Sequence, residues 1–367
     1  RGAMSTIVTA ADSAHFLALV PRLLGFTPTE SLVVVPMRGG RSLGALRIDL
    51  PPSDTSVDAV ASTVIGMLCR VSGADGFAGV VFTEASAGRG LPGADLALAL
   101  ERSADACGLE VVDILTVAGT GWGSHFDERM PPGGRPLVEL ERHLPPLEGD
   151  QHEGAALPSA EPAATASVEV ALRSLESALA VLCGIPAVDG TSERIDPAAL
   201  EAGCALDDLP GLYEGCLDWD PASLDPMRTA VLAWCLARPS LRDVALVQWA
   251  TDRRGGDTAL DAQRRWEDGE DYPADLASVM WGEGERPDPS RLEAALTLVR
   301  RVASRTPEAH RAGSLATAAW LAWSLGRSTH ADRYAAEALQ IEPEHGLAEI
   351  VRSFVAHAHL PDWAFRR

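Results

Sequence analysis

Apolar positions change their spacing twice along the chain. Near the start, Phe16, Leu19, Val20, Leu23 and Leu24 recur at three- and four-residue intervals, which predicts a helix that Asp12 could cap. Pro21 lacks a backbone donor and is expected to break or kink it. Apolar runs at residues 31–36, 43–50, 77–83 and 109–118 then read as strands. A short, glycine-bearing link (Met37-Arg38-Gly39-Gly40-Arg41) makes the first two an antiparallel hairpin. Val57, Val60, Ala61, Val64, Ile65 and Leu68 mark one face of a helix, and residues 93–107 read as another. Strand, helix, strand, helix, strand implies right-handed crossovers. The expectation is an α/β domain over residues 4–129, with a mixed sheet on a parallel βαβαβ core and the hairpin at one side.

Between residues 130 and 165 no period survives. Met130-Pro131-Pro132-Gly133-Gly134 and Pro145-Pro146 punctuate a stretch rich in acid and alanine, expected as a linker or long loop. From Ser167 onward every periodic stretch is helical, so residues 166–367 are expected to form an all-α domain. Its end is the most regular part. Helices at residues 312–325 and 329–340 flank Gly326, and Pro343 closes the second. Within a frame at residues 312–345, Ala322, Gly326, Ala331, Ala338 and Pro343 fall where a tetratricopeptide-like helix pair needs small residues and a stop. One such unit is too little for a free solenoid, so repeat-like packing inside a helical domain is expected.

Two stretches, taken together, resemble the actinobacterial domain of unknown function 4192 family. One is Pro21-Arg22-Leu23-Leu24-Gly25-Phe26 followed by the strand Ser31-Leu32-Val33-Val34; the other is the Ala/Leu-rich helical end, residues 318–343. Leu241-Arg242-Asp243-Val244-Ala245-Leu246 is similar to the family's mid-chain helix, and the resemblance runs from Ile7 to Trp363. Where many members carry cysteines, after Gly121-Trp122-Gly123-Ser124-His125-Phe126, this chain has Asp127-Glu128-Arg129-Met130. No thiol or metal role carries over from those cysteines. The resemblance implies a fold and no activity.

Composition mainly excludes. The 367 residues carry 31 basic side chains, all Arg, against 52 acids, for a net charge of −21; Lys and Asn are absent. That bias reads as GC-rich coding. It removes P-loop and Schiff-base lysine chemistry and argues against nucleic acid and anionic lipid as partners. No apolar run approaches the ~20 residues of a membrane span. Arg1-Gly2-Ala3 reads as a cloning remnant before a native Met4, and a cytoplasmic protein is expected. The six cysteines fit no metal spacing and are expected to be buried and reduced.

Candidate chemistry follows from topology. Ligands of open α/β sheets sit beyond the carboxyl ends of parallel strands. There the chain places Glu84, Ser86 and Arg89 in one loop, and Trp122 and His125 after the last strand. Glu84 could act as a base, and Arg89 could hold a small anionic ligand. Gly119-Thr120-Gly121-Trp122-Gly123 has the wrong spacing for a dinucleotide fingerprint. His125 and Asp127 would project together from an extended chain, but a third metal ligand is not evident, so no metal or cofactor is expected. Eight of nine tryptophans lie beyond residue 166. Residues 1–150 hold 11 Arg and 18 acids (−7), and residues 151–367 hold 20 Arg and 34 acids (−14). The expectation is a non-catalytic interaction or adaptor protein that binds a protein partner or itself, any partner of the acidic half being basic or apolar. A ligand-binding protein or enzyme using the strand-end loops is the alternative.

Overall fold

The computed structural model describes residues 13–144, 147–185 and 194–365; Met4 and Asp12 lie outside them. The chain divides into two compact units. The first holds the residues up to Glu153 together with Phe365, and the second spans Gly154 to Ala364.

The first unit opens with α1 (Ser13–Leu24), which continues through Pro21. Proline costs one hydrogen bond here. The Gly25 N–H donates to the Pro21 carbonyl at 2.8 Å and closes the last turn, while buried Leu17 and Val20 hold the helix down. Next, β1 (Ser31–Arg38) turns through Gly39-Gly40 into β2 (Arg41–Ser42), and β3 (Leu46–Asp49) returns along β1. Two crossovers follow: α2 (Val57–Arg70) leads to β4 (Gly76–Phe82), and α3 (Ala94–Cys107) leads to β5 (Glu110–Val117). A short β6 (Trp122–Ser124) pairs antiparallel with β5.

As the strand–helix alternation implies, β3, β4 and β5 run in one direction. β1 is inserted antiparallel between β3 and β4, which confines direct parallel pairing to β4–β5. Central β1 is buried on both faces, hence its unbroken Leu-Val-Val-Val run. Val33, Val35, Val80, Phe82, Leu115 and Trp122 form one face, packed against Leu17 and Val20 of α1. α2 and α3 pack together over the other face, where Gly93 at the start of α3 sits on Val81. After β6 the chain forms α4 (Val138–Glu141), which packs on α1.

The second unit is helical throughout its described residues. It contains α5 (Pro162–Leu182), α6 (Pro197–Ala205), α7 (Leu209–Gly215), α8 (Pro226–Leu236), α9 (Pro239–Ala250) and α10 (Arg253–Glu267). These are followed by α11 (Ala274–Met280), α12 (Pro289–Arg305), α13 (Ala312–Ser324), α14 (Ser328–Ile341) and α15 (Gly346–Ala356). Asp196, Asp208, Asp225, Asp252 and Asp288 each cap one of these helices, accepting a bond from a first-turn N–H. Part of this unit's acidity is therefore helix capping, with anions at the positive ends of helix dipoles. α13 is buried along its whole length, because α12, α14 and α15 all pack on it. Packing of α13 on both α14 and α15 is the arrangement that stacked helical repeats use.

Four cysteines depart from expectation. Cys216 and Cys235 are buried, whereas Cys69, Cys107, Cys183 and Cys204 are exposed. All four sit at or near helix C-termini, where the apolar stripe runs out into solvent. Among the described residues, no helix is long and apolar enough to cross a membrane.

Candidate functional site

The sheet face under α1 carries two cavities. The larger is a cleft of about 660 Å³ over the N-terminal part of β5 and the edge strand β6. Its floor includes Val112, Asp113, Trp122 and Ser124. Val112 is the extra residue of a bulge, since Phe77 pairs with Val111 and Ala78 with Asp113. The cleft wall comes from residues 126–143, which overlap the start of the stretch without periodicity at residues 130–165. Trp122 and Arg135 exchange backbone hydrogen bonds (2.9 and 2.7 Å), so this segment adds one bridge beyond β6. The indole Nε1 of Trp122 donates to the Pro136 carbonyl at 3.2 Å, and the Arg135 guanidinium lies 5.5 Å from its ring centroid.

Charges of both signs line this cleft. Asp127 accepts from Arg135 Nη2 at 2.8 Å and from the Arg129 N–H at 2.9 Å. The Arg135 hydrogen bond comes first among the causes that hold its carboxyl below the usual range. Asp113 accepts the Ser124 hydroxyl at 2.5 Å, and Ser124 Oγ in turn accepts the Phe126 N–H at 3.1 Å. Glu139, Arg142 and His143 line the opposite side, from α4 and the turn after it. Among the described residues, no group of three or more His, Cys, Asp or Glu could hold a metal ion.

The smaller cavity, about 320 Å³, lies at the carboxyl ends of β4 and β5. Leu17, Phe82, Val117, Leu137 and Leu140 make it largely apolar, with Thr83 and Glu84 at its rim. A segment from Leu147 to Gln151 is tied across to the loop before β1. Thr27 Oγ1 donates to the Leu147 carbonyl at 2.9 Å, and Gln151 both accepts from the Thr29 N–H and donates to its carbonyl. Glu30 adds a support that sequence reasoning missed. It adopts a left-handed backbone (φ 41°), costly for a residue with a Cβ. Its carboxylate accepts Thr83 Oγ1 at 2.9 Å and the Glu84 N–H at 2.6 Å, tying the start of β1 to the end of β4. No local pattern marks Glu30, because its partners are more than fifty residues away.

The sequence-derived candidates are dispersed. Glu84 lines the smaller cavity and Trp122 the larger. Ser86 and Arg89 are exposed on the β4–α3 loop and line neither. His125 lies on the opposite face of the sheet from Trp122 and Ser124, as strand alternation requires. There its Nε2 lies 2.8 Å from Thr116 Oγ1, and burial pushes the imidazole pKa down. His125 and Asp127 therefore do not converge. The glycine run between β5 and β6 serves close packing. A Cβ on Gly119 would lie 2.5 Å from the Glu84 carbonyl oxygen, and one on Gly121 would lie 2.3 Å from that of Gly133.

An α/β unit with a mixed sheet, followed by a helical unit, defines the class of protein. The family model for a domain of unknown function, number 4192, matches residues 14–270, and the chain belongs to that family. The match takes in the α/β unit and the helices through α10; the repeat-like helices lie beyond it. No curated protein and no solved structure matches the chain.

Proposed function

We propose that the protein is a non-catalytic binding protein whose α/β unit takes a small polar molecule in the larger cleft. One observation carries this reading: Asp113 on β5 and Arg142 after α4 line a single cleft of about 660 Å³, with Trp122 in its floor. That volume lies within the range of small-molecule sites, roughly 300–1,000 Å³. Groups of opposite sign on two sides suit a ligand with an anionic group and a cationic or hydroxyl group. Ligand-observed NMR with a panel of free amino acids, small carboxylates and neutral polyols tests it. Amino acids are expected to bind, with affinity reduced at least about tenfold in Asp113→Asn and in Arg142→Ala. Failure of all three classes, or binding unchanged in both variants, would overturn the proposal.

A second reading assigns the helical unit to a protein partner. Trp266 and Trp281, about half exposed, favour it, because large aromatics left in solvent commonly anchor interfaces. The unit's negative charge suits a basic or apolar partner surface. A chain that runs as a monomer by light scattering and retains no protein from a native lysate would count against it.

A further inference from the structure

α2 and α3 bring two thiols together at one end of the sheet. Both helices run from a strand's carboxyl end back toward the amino end of the next, so they lie parallel with their C-termini side by side. They pack against each other. Cys69 occupies the last turn of α2, one turn beyond buried Ile65; Cys107 ends α3, three residues after buried Ala104. Each thiol thus extends the stripe of its own helix that is turned inward, at the point where that stripe reaches solvent. Both cysteines are exposed. Burial raises the Cys69 pKa, and Cys107 is near enough to add to that shift. The other adjacent thiols differ. Cys216 and Cys235 are buried in the helical core, where burial pushes both pKa values up, that of Cys235 to about 12, and keeps an oxidant in solution from reaching either sulfur.

We propose that Cys69 and Cys107 form a reversible disulfide that staples the C-terminal ends of α2 and α3, with hydrogen peroxide as oxidant. One thiolate attacks a peroxide oxygen, forming an S–O bond as the O–O bond breaks, and water leaves after protonation. The second thiol displaces the sulfenic oxygen as a second water, forming the S–S bond. Two thiols lose two electrons and two protons, and the peroxide is reduced to two waters. The new bond encloses α3 and β4, so it removes conformational freedom from the unfolded chain.

Native protein is treated with dilute hydrogen peroxide, alkylated, and digested with trypsin without reduction. Residues 48–70 and 103–129 are single tryptic peptides, each holding one cysteine. The expected product joins these two peptides, is lighter by two hydrogens than their sum, and is split by dithiothreitol. Cys69→Ser and Cys107→Ser should each abolish it, while Cys183→Ser and Cys204→Ser should not. Oxidation should raise the melting temperature by about 3 °C or more in the wild type and by nothing in Cys69→Ser. Full alkylation of both thiols after peroxide, separate overoxidation, or pairing of either with another cysteine or another chain would each overturn the proposal.

Discussion

The two units bury apolar surface in different ways, and the α/β unit leaves clefts over its sheet. One face of its sheet is covered by two helices of 14 residues each, α2 and α3. The other has α1, with 12 residues, and α4, with only 4. Covers of that size cannot span a sheet running from β3 to β6, so open space remains beside α1. The helical unit has no such deficit at its centre. α13 is surrounded, and Trp249, Trp320 and Trp323 are fully buried among the helices. Their indole N–H groups donate to the carbonyls of Tyr213, Met280 and His359, so large rings are buried without an unmet donor. Room for a ligand follows from a short cover; rigidity follows from a crowded one.

This contrast is open to attack by substitution. Trp323 touches Trp320, Phe354, His359 and Trp363, so Trp323→Ala should leave a cavity costing about 3–5 kcal/mol. Trp122 borders an open cleft, and Trp122→Ala should cost less, about 2–3 kcal/mol, since water can enter the space. Urea unfolding followed by circular dichroism measures both. Equal losses would remove the distinction between the units.

Acid should act more gently, and in two stages that both belong to the helical unit. Burial, with Arg242 nearby, pushes His345 down from its ordinary pKa while its Nδ1 caps α15 through the Ala348 N–H. The unfolded chain then takes up a proton that the folded chain refuses. Stability is therefore expected to fall as pH drops through the histidine range near ~6.5, and His345→Asn, which keeps a capping oxygen, should flatten that step. At lower pH, Glu214 matters. The bidentate contact from Arg291 (2.6 and 2.9 Å) holds its carboxyl pKa down to about 2, so its contribution is present above the ordinary range and lost as pH falls toward that value. With the side chain about a third exposed, Glu214→Gln should cost only about 1 kcal/mol at neutral pH and blunt the acid limb. Urea midpoints measured from pH 7 to pH 3 check both steps.

Much of the fold was legible because it is written in local periods. Period-two and buried apolar runs marked four of the strand segments, and three- and four-residue spacing marked α2, α3 and most helices from α5 onward. The cleft was not legible, for a physical reason. Its wall, residues 126–143, is held by backbone bonds to Trp122 and by the pair Asp127–Arg135, none of which leaves a periodic trace. Glu84 and Trp122 were singled out from strand-end topology, yet they line separate cavities: Glu84 follows β4, while Trp122, although paired with Val117, stands on edge strand β6, which runs back along β5 beside the larger cleft. Cysteine exposure was misjudged because a stripe of apolar residues does not say where a helix leaves the core.

Local sequence determined the elements themselves. Apolar spacing selects helix or strand, Asp-Pro steps start helices, and the absence of lysine closes off lysine chemistry. Tertiary structure alone decided which strands are neighbours. A run buried on both faces, such as Ser31–Arg38, can pair on either side and in either direction, so nothing local announces that β1 enters between β3 and β4. It also decided which distant groups meet: Glu30 with Glu84, Trp122 with Arg135, and Cys69 with Cys107. Those meetings depend on chain closures of 54, 13 and 38 residues, and patterns of period two to four carry no information about them.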